Sequence, residues 1–296
     1  MNLTGSITAL ATPFTAAGEL DFSAWQALLD AQLAGGSSAV VVAGSTGEAA
    51  ALTDDEYALL LKATVAHLNG RIPVLAGTGL SNTAKTISQT RWAADAGADA
   101  ALVVTPPYVR PTQAGLVAHY TAVAEQGGLP VVLYNVPGRT GCDLQPETVA
   151  QLCGHANIIG LKEARGDDAR WTALYPLRSP KFSLLSGDDP TFVRAVRGGA
   201  DGVISVASNV VPGTFRRICD LLRAGKMDLA VALDARLRPL YEFLGVEPNP
   251  IPVKALLALR GIGAGLRLPL LPLSAGHRAE AEAMAVLCTR LESEIL

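Results

Sequence analysis

Residues 73–105 have the sequence PVLAGTGLSNTAKTISQTRWAADAGADAALVVT, and this stretch shows the unit that decides the fold. An apolar run (Pro73–Ala76) is followed by a segment with helical spacing (82–97) and by a second apolar run (Ala100–Thr105). Short apolar runs are typical of buried strands, and the intervening spacing is typical of an amphipathic helix. The stretch therefore predicts a strand, a helix and a second strand parallel to the first.

The same unit recurs along most of the chain. The intervening segments include FSAWQALLDAQLAGG and TDDEYALLLKATVAHL, which also have helical spacing. Near-continuous apolar strands are typical of a parallel sheet covered on both faces. Eight strands alternating with helices predict an α/β fold, a (β/α)8 TIM barrel. The eight runs are Ile7–Ala11, Ala39–Ala43, Pro73–Ala76, Ala100–Thr105, Pro130–Asn135, Ile158–Lys162, Phe182–Ser186 and Gly202–Ala207.

A doubly wound sheet is the competing fold. It usually has fewer strands and a glycine fingerprint near its start. Neither GxGxxG nor GxxxxGK[ST] occurs in this sequence. The pattern therefore favours the barrel.

The pattern changes after about residue 225. From there only helical periodicity remains, in 228–244, 251–262 and 276–294. We therefore predict a catalytic barrel over 1–225 and a small C-terminal helical extension over 226–296. The extension is expected to pack against the barrel or to contribute an oligomer contact.

Composition argues against several classes of function. The chain has 296 residues, 49% hydrophobic and 17% charged, with a formal net charge of −3. Without a run of like charge, a nucleic-acid or anionic-membrane surface is not expected. The first residues lack a basic segment and a long apolar segment, and no apolar run approaches the roughly 18 residues of a membrane span. We expect a soluble, cytoplasmic protein. No HxxxH, HExxH or CxxC spacing occurs, so no metal site is predicted.

Chemistry in a TIM barrel gathers at the carboxyl ends of the strands, where Lys162 stands out. Of the six lysines, only Lys162 lies inside an apolar run, whereas Lys254 is expected near the start of a helix. An ammonium group there loses its hydration, and burial favours the neutral amine that attacks a carbonyl. Lys162 is thus a candidate for Schiff-base formation. The alternative is an ion pair with Glu163 or Asp188, although Glu163 should point to the opposite face of the strand.

Three further features lie at neighbouring strand ends. Tyr134 ends the fifth run and could shuttle protons to the lysine, or it could be a core aromatic residue. The loop GSTGE, Gly44–Glu48, could hold a carboxylate with its N–H groups and hydroxyls, or it could be a plain turn. Arg139 follows a Pro-Gly turn and is expected to project from a loop. There it could grip a carboxylate in a bidentate manner, or be a solvated surface residue.

Seven motifs occur in one order over nearly the whole chain: GSTGE, TPPY–RP, YNVPGRTG, GLKEA, LSGDD, GVISV and NPIPVK. Together they resemble the dihydrodipicolinate synthase family of class I pyruvate aldolases. YNVPGRTG combined with GLKEA is specific, whereas GSTGE marks only the wider superfamily. The resemblance implies condensation of pyruvate with L-aspartate 4-semialdehyde in the diaminopimelate and lysine pathway, without metal or cofactor, by a homodimer or homotetramer.

The resemblance also implies a role for each matching position. Lys162 matches the Schiff-base lysine, and Tyr134 matches the residue that donates and accepts protons. Arg139 matches the residue that receives the carboxylate of the second substrate. The remaining matches are the pyruvate-binding positions, Thr46 and the backbone of Ile204, and a hydroxyl relay to solvent, Ser45 and Tyr108, with the tyrosine supplied by the partner subunit.

One active-site position departs from the family pattern. Ser45 stands where the synthases usually have threonine, so the hydroxyl is kept but the methyl that restricts χ1 is lost. Serine is also common there in N-acetylneuraminate lyases and keto-deoxy sugar acid aldolases, which are the alternative enzymes. Those branches generally lack an arginine at the Arg139 position, so Arg139 favours the synthase. A phosphate- or flavin-binding barrel, suggested by GGADGVIS, and a non-catalytic binding module remain as other classes, but neither requires Lys162.

The sequence also bears on feedback inhibition. In lysine-sensitive bacterial members of the family, the pocket for L-lysine contains a histidine, an asparagine, a glutamate, a tyrosine and a second histidine. Replacing the glutamate by a lysine removes an attraction for the ammonium groups of the ligand. We therefore predict little or no inhibition by L-lysine. The residues at the five positions are Asp54, Ser81, Lys85, Pro107 and Tyr57.

Overall fold

The computed structural model describes residues 1–295, which form a closed barrel of eight parallel strands in chain order. The last strand pairs with the first and closes the barrel, for example through Ile204 and Ile7. Each of the eight predicted runs overlaps a strand, so the predicted TIM barrel is confirmed. The strands are β1 (Gly5–Ala9), β2 (Ala39–Val42), β3 (Val74–Gly77), β4 (Ala100–Val104), β5 (Val131–Asn135), β6 (Ile158–Glu163), β7 (Ser183–Ser186) and β8 (Gly202–Ser205).

Helices follow the strands and continue beyond the barrel. The start of α2 is capped reciprocally: the Thr53 hydroxyl accepts from the Glu56 N–H, and the Glu56 carboxylate accepts from the Thr53 N–H. Within residues 1–295, no helix has the length and apolar character that crossing a membrane requires. The helices are α1 (Phe22–Gly35), α2 (Asp54–Leu68), α3 (Thr83–Asp95), α4 (Gln113–Gln126), α5 (Pro137–Thr140), α6 (Pro146–Leu152), α7 (Asp168–Leu174), α8 (Phe192–Gly198), α9 (Pro212–Arg223), α10 (Met227–Ala235), α11 (Arg238–Leu244), α12 (Ile251–Ala258) and α13 (Arg278–Ser293).

Side chains of the strands alternate between two apolar layers. The outer layer packs between strands and helices and continues into the C-terminal helices, where Phe243 and Leu291 belong to it. The inner layer fills the barrel and includes Val132, Tyr134 and Ile204. The strands separate the inner layer from solvent. A polar side chain that points into the barrel at the carboxyl end of a strand is therefore surrounded largely by apolar side chains.

The predicted C-terminal helices are partly wrong in their bounds. The segment predicted as one helix over 228–244 is two helices, α10 and α11, because Pro239 lacks an N–H and its ring would clash with a carbonyl one turn earlier. The segment predicted over 251–262 ends as a helix at Ala258. In α13, Glu292 accepts hydrogen bonds from the first turn of α9, so this region packs against the barrel. Its division from the barrel at residue 225 stays a prediction.

Candidate active site

A bulge in β6 lies directly before the candidate Schiff-base lysine. Val131 of β5 pairs with Ile158, but the next residue, Val132, pairs with Gly160. Two residues of β6 therefore oppose one residue of β5, which is the definition of a β-bulge. Only glycine fits at position 160, because a Cβ there would lie 2.7 Å from the carbonyl oxygen of Ser183 in β7.

The bulge determines which way the lysine points. Ile159 belongs to the inner layer and Leu161 to the outer layer, although residues two apart in a regular strand share a face. Lys162 consequently points inward, whereas Ile158, four residues earlier, belongs to the outer layer. Beyond the bulge, Lys162 pairs in register with Tyr134 of β5. The two predicted catalytic side chains are thus brought together.

Lys162 is buried and faces an aromatic ring. Lys162 is 4% exposed, and its Nζ lies 4.4 Å from the ring centroid of Tyr134. No ion pair of Lys162 occurs among the described residues, so the alternative of a pairing with Glu163 or Asp188 is not observed. Gly187 makes room for the lysine, because a Cβ there would lie 2.8 Å from Lys162 Cε. The amine is therefore placed against Tyr134 and free of a carboxylate.

Glu163 points to the outer face, as the alternation predicts. Its two oxygens accept from Asn135 Nδ2 at 3.0 Å, and one accepts from the N–H of Arg165 at 2.8 Å. Burial raises the pKa of this carboxyl to about 7. Asn135 and Glu163 pair in register immediately after Tyr134 and Lys162. This outer pair ties the ends of β5 and β6 to each other beside Tyr134 and Lys162.

The GSTGE loop follows β2 and contains a buried threonine. The Thr46 hydroxyl accepts a hydrogen bond from Asn249 Nδ2 at 3.0 Å, while Ser45 is only half-buried. Ala43 enters the loop with φ +52° and packs against Gly77 of β3, where a Cβ would lie 2.1 Å from the Ala43 carbonyl oxygen. The loop is therefore a tightly packed turn at the mouth of the barrel rather than an open one.

Arg139 is not in a loop, which corrects that expectation. It lies in the single-turn helix α5, because the preceding Pro137 has a φ suited to the first turn of a helix. Its side chain is exposed, and Nη2 donates to the carbonyl oxygen of Asn249 at 3.0 Å. Asn249 thus contacts both Thr46 and Arg139. These contacts bring the two predicted substrate-binding side chains to one edge of the barrel mouth.

Tyr108 and Ile204 differ in their exposure to solvent. Ile204 is fully buried in β8 and belongs to the inner layer. Tyr108 is 92% exposed, with φ +74°, and its N–H donates to the Thr140 carbonyl oxygen at 3.1 Å. A non-glycine residue with positive φ is uncommon. The Tyr108 ring therefore projects into solvent.

A model of the Dihydrodipicolinate synthetase family matches residues 2–286. The chain belongs to this family. It is 67% identical over 285 residues to a 4-hydroxy-tetrahydrodipicolinate synthase of Stenotrophomonas maltophilia, covering 96% of each chain. Two solved structures are also similar over nearly their whole length. The chloride-inhibited dihydrodipicolinate synthase of Acinetobacter baumannii, complexed with pyruvate, is 40% identical with a TM-score of 0.94, covering 97% of this chain and 99% of that one. The enzyme of Cyanidioschyzon merolae with lysine bound is 35% identical with a TM-score of 0.93, covering 98% and 99%.

The family motif NPIPVK contains two residues for which sequence analysis predicts no role. Asn249 contacts Thr46 and Arg139, as described above. Lys254 is a second buried lysine, and its Nζ donates to Glu48 of the GSTGE loop. Periodicity does not identify these residues, because their partners are between 110 and 206 residues away. The signal was a polar residue at each end of a proline-rich motif.

The five residues at the family's lysine-pocket positions lie around the starts of α2 and α3. Ser81 donates to the Pro107 carbonyl oxygen at 2.8 Å, so two of them are in contact. Asp54 and Lys85 are exposed in the first turns of these helices. Tyr57 is buried, and burial raises the pKa of its phenol. Of these five side chains, one carries an ammonium group and one carries a carboxylate.

Proposed function

We propose that the chain catalyses the reaction for which its relatives are named, the condensation of pyruvate with L-aspartate 4-semialdehyde. The reaction belongs to the diaminopimelate branch of lysine biosynthesis and makes this protein a Schiff-base lyase. One observation carries the proposal: a buried lysine free of a carboxylate faces Tyr134 at the carboxyl end of β6. A synthase at 67% identity over 96% of the chain supports the choice of reaction.

The proposed mechanism uses Lys162 and Tyr134, whose side chains lie against each other. Its neutral amine adds to the ketone carbon of pyruvate, and the resulting carbinolamine loses water to give an imine. Tyr134, next to the amine, supplies and removes the protons of these steps. The imine withdraws electrons from the methyl group of pyruvate, so that a methyl proton can leave and an enamine forms. The enamine carbon then attacks the aldehyde of the second substrate, and the amine of the adduct closes the ring and displaces Lys162.

The substrate-binding roles are assigned to residues at the barrel mouth. Thr46 and the backbone of Ile204 bind the pyruvate portion, and Arg139 receives the carboxylate of the semialdehyde. Arginine suits this role because its planar fork matches a carboxylate in a bidentate manner. In this chain Arg139 is exposed and makes one side-chain bond, to the Asn249 carbonyl, so its remaining donors can meet a ligand.

The proposed active unit is a homodimer or homotetramer in the cytoplasm. The hydroxyl relay of Ser45 requires the hydroxyl of Tyr108, which projects away from its own subunit. A partner subunit would receive this ring and bury an aromatic side chain that is otherwise exposed. Metabolic condensation of two soluble carboxylates is consistent with the cytoplasmic location.

The alternative activity is cleavage of a sugar acid by the same imine chemistry. Ser45 is compatible with it, whereas Arg139 favours the synthase. The decisive experiment compares two assays on the purified protein: pyruvate with aspartate semialdehyde, and N-acetylneuraminate alone. We expect turnover in the first assay and little in the second. Turnover of N-acetylneuraminate without condensation would replace the proposed function by the alternative.

A further inference from the structure

The GSTGE loop is held by residues from outside the barrel. Glu48 is buried, and one carboxylate oxygen accepts a hydrogen bond from Lys254 Nζ in α12. The other oxygen accepts from the backbone N–H of Arg267 at 3.2 Å. Lys254 and Arg267 lie 206 and 219 residues further along the chain. The charge on this loop is therefore neutralised by the C-terminal region and not by a neighbouring strand.

An aromatic ring covers the two basic partners. Lys254 Nζ and Arg267 Cζ each lie 4.2 Å from the ring centroid of Phe14, which is fully buried after β1. Cation–π contacts of this kind are more favourable where water is excluded. Arg267 also forms a bidentate pair with Glu56 in the first turn of α2, the helix that follows the loop. The loop and the start of its helix are thus fixed to one basic cluster.

The backbone of Glu48 is in a conformation that needs support. Its φ is +51°, in the left-handed region that residues other than glycine and asparagine rarely adopt. Its neighbour Gly47 accepts from the Thr12 hydroxyl at 2.7 Å, and Thr46, two residues earlier, accepts from Asn249. Such strain persists only where the surroundings determine the position more than once. Here the ion pair with Lys254 is one of those determinants.

We propose that Glu48 and Lys254 are positioning residues for pyruvate, which rests on the proposed function. The buried ion pair fixes the GSTGE loop so that Thr46 and Ser45 meet the substrate in the correct place. Neither residue touches the reacting atoms. The NPIPVK segment is, in this view, part of the active site although it belongs to no strand of the barrel.

The proposal predicts coupled kinetic effects. A displacement of about 1 Å at a positioning element can lower a rate about 100-fold. We expect Glu48→Gln and Lys254→Met each to lower kcat/KM for pyruvate about 10- to 100-fold, mainly by raising KM for pyruvate. Because the two residues act through one ion pair, the double variant should show about the defect of one single variant and not the product of both.

The experiment measures three quantities for the wild type, both single variants and the double variant. These are KM for pyruvate at saturating aspartate semialdehyde, borohydride trapping of pyruvate on Lys162, and thermal unfolding. Trapping should still occur in the variants at saturating pyruvate, because the lysine itself is intact. Glu292→Gln is the matched control, since it breaks another contact between the C-terminal region and the barrel, at Gly213 and Thr214. It should lower stability without changing KM for pyruvate.

Two results would overturn the proposal. One is a folded double variant with the wild-type KM for pyruvate. The other is a double variant whose loss of kcat/KM equals the product of the losses in the two single variants. If Lys254→Met leaves Glu48 charged and unpaired and does not fold, the double variant decides, because replacing both members of a buried pair is often tolerated. Glu48→Gln avoids an unpaired buried charge, because the amine of Lys254 can become neutral once the carboxylate is removed. This variant is therefore also decisive. A wild type that traps pyruvate but does not condense it would refute the proposed function instead, and unaffected variants of an active wild type would refute only the positioning role.

Discussion

Two buried lysines differ in what surrounds their amines, and this difference predicts their reactivity. Lys162 faces the ring of Tyr134, whereas Lys254 donates to the carboxylate of Glu48. We expect pyruvate and borohydride to give one covalent adduct, on Lys162, identified by peptide mass mapping. Lys162→Arg should give no adduct and almost no turnover, because a guanidinium stays protonated and cannot form an imine.

The result that would contradict this prediction is an adduct on the other buried lysine. An adduct on Lys254 would show that an amine paired with a carboxylate reacts first and would contradict the assignment of Lys162. The control is the wild type treated with borohydride in the absence of pyruvate, which should remain unmodified.

Arg139 is expected to act on the second substrate only. Arg139→Ala removes a charge-assisted contact that is typically worth about 1.5–3 kcal/mol, or roughly 10- to 150-fold. We expect kcat/KM for aspartate semialdehyde to fall by this factor, while borohydride trapping of pyruvate stays near the wild-type level. Arg91→Ala is a matched control, since Arg91 likewise donates to a backbone carbonyl, that of Gln126, on an exposed helix face. Equal damage to trapping and condensation would indicate that Arg139 supports the structure.

At the scale of single residues, the sequence predicts the candidate groups better than their geometry. Lys162 is recognisable as a candidate because it is a lysine in an apolar strand, and its closeness to Tyr134 follows from parallel neighbouring strands. The direction of its side chain was not predictable, since counting by twos from Ile158 places Lys162 on the outer face. The bulge at Ile159 and Gly160 depends on the register with β5, which no local pattern encodes.

At the scale of elements, the alternation of strands and helices was predictable and the long-range supports were not. Every barrel strand lies within two residues of its predicted bounds at each end, because buried strands are marked by local apolar runs. The break before α11 could have been predicted from Pro239. The contact of Asn249 with Thr46 could not, because the two residues are 203 positions apart.

The residues at the starts of α2 and α3 predict a weak response to L-lysine. Lys85 places an ammonium group where sensitive family members have a carboxylate, and Pro107 provides no hydroxyl, so binding of a ligand with two ammonium groups should be weak. Asp54 acts in the opposite direction. We expect initial rates at saturating pyruvate to be nearly unchanged by lysine up to the millimolar range. Half-inhibition below about 1 mM, equivalent to about 4 kcal/mol of binding, would show that these substitutions leave the pocket functional.

A variant can test the same element directly. Lys85→Glu restores the carboxylate and should increase inhibition by lysine if the site lies where the family places it. Lys62→Glu makes the same charge change further along α2 and is the control. Equal effects of both changes would point to a general effect of net charge.

For the whole molecule, the exposed ring of Tyr108 predicts that active sites are shared between subunits. Lys162→Ala and Tyr108→Phe should each be impaired alone. After subunit exchange, a mixed dimer has one site with an intact Lys162 and an intact Tyr108 from the partner. Random exchange of equal amounts should therefore restore about a quarter of the wild-type sites in a dimer with two-fold symmetry. No recovery, despite exchange demonstrated by mass spectrometry, would place Tyr108 in the site of its own subunit.

The β6 bulge makes one deletion in this strand tolerable. Deleting one residue from a regular core strand reverses the facing of all that follows, but here Ile159 and Gly160 share one position opposite Val132. Removing Gly160 would leave a regular strand with Lys162 still pointing inward and still opposite Tyr134. We expect the shortened chain to retain trapping of pyruvate by borohydride, whereas deletion of Leu161 should abolish it. Loss of trapping in a folded chain without Gly160 would show that the bulge does more than set the facing. A chain one residue shorter at the bulge is therefore expected to keep this lysine pointing into the barrel.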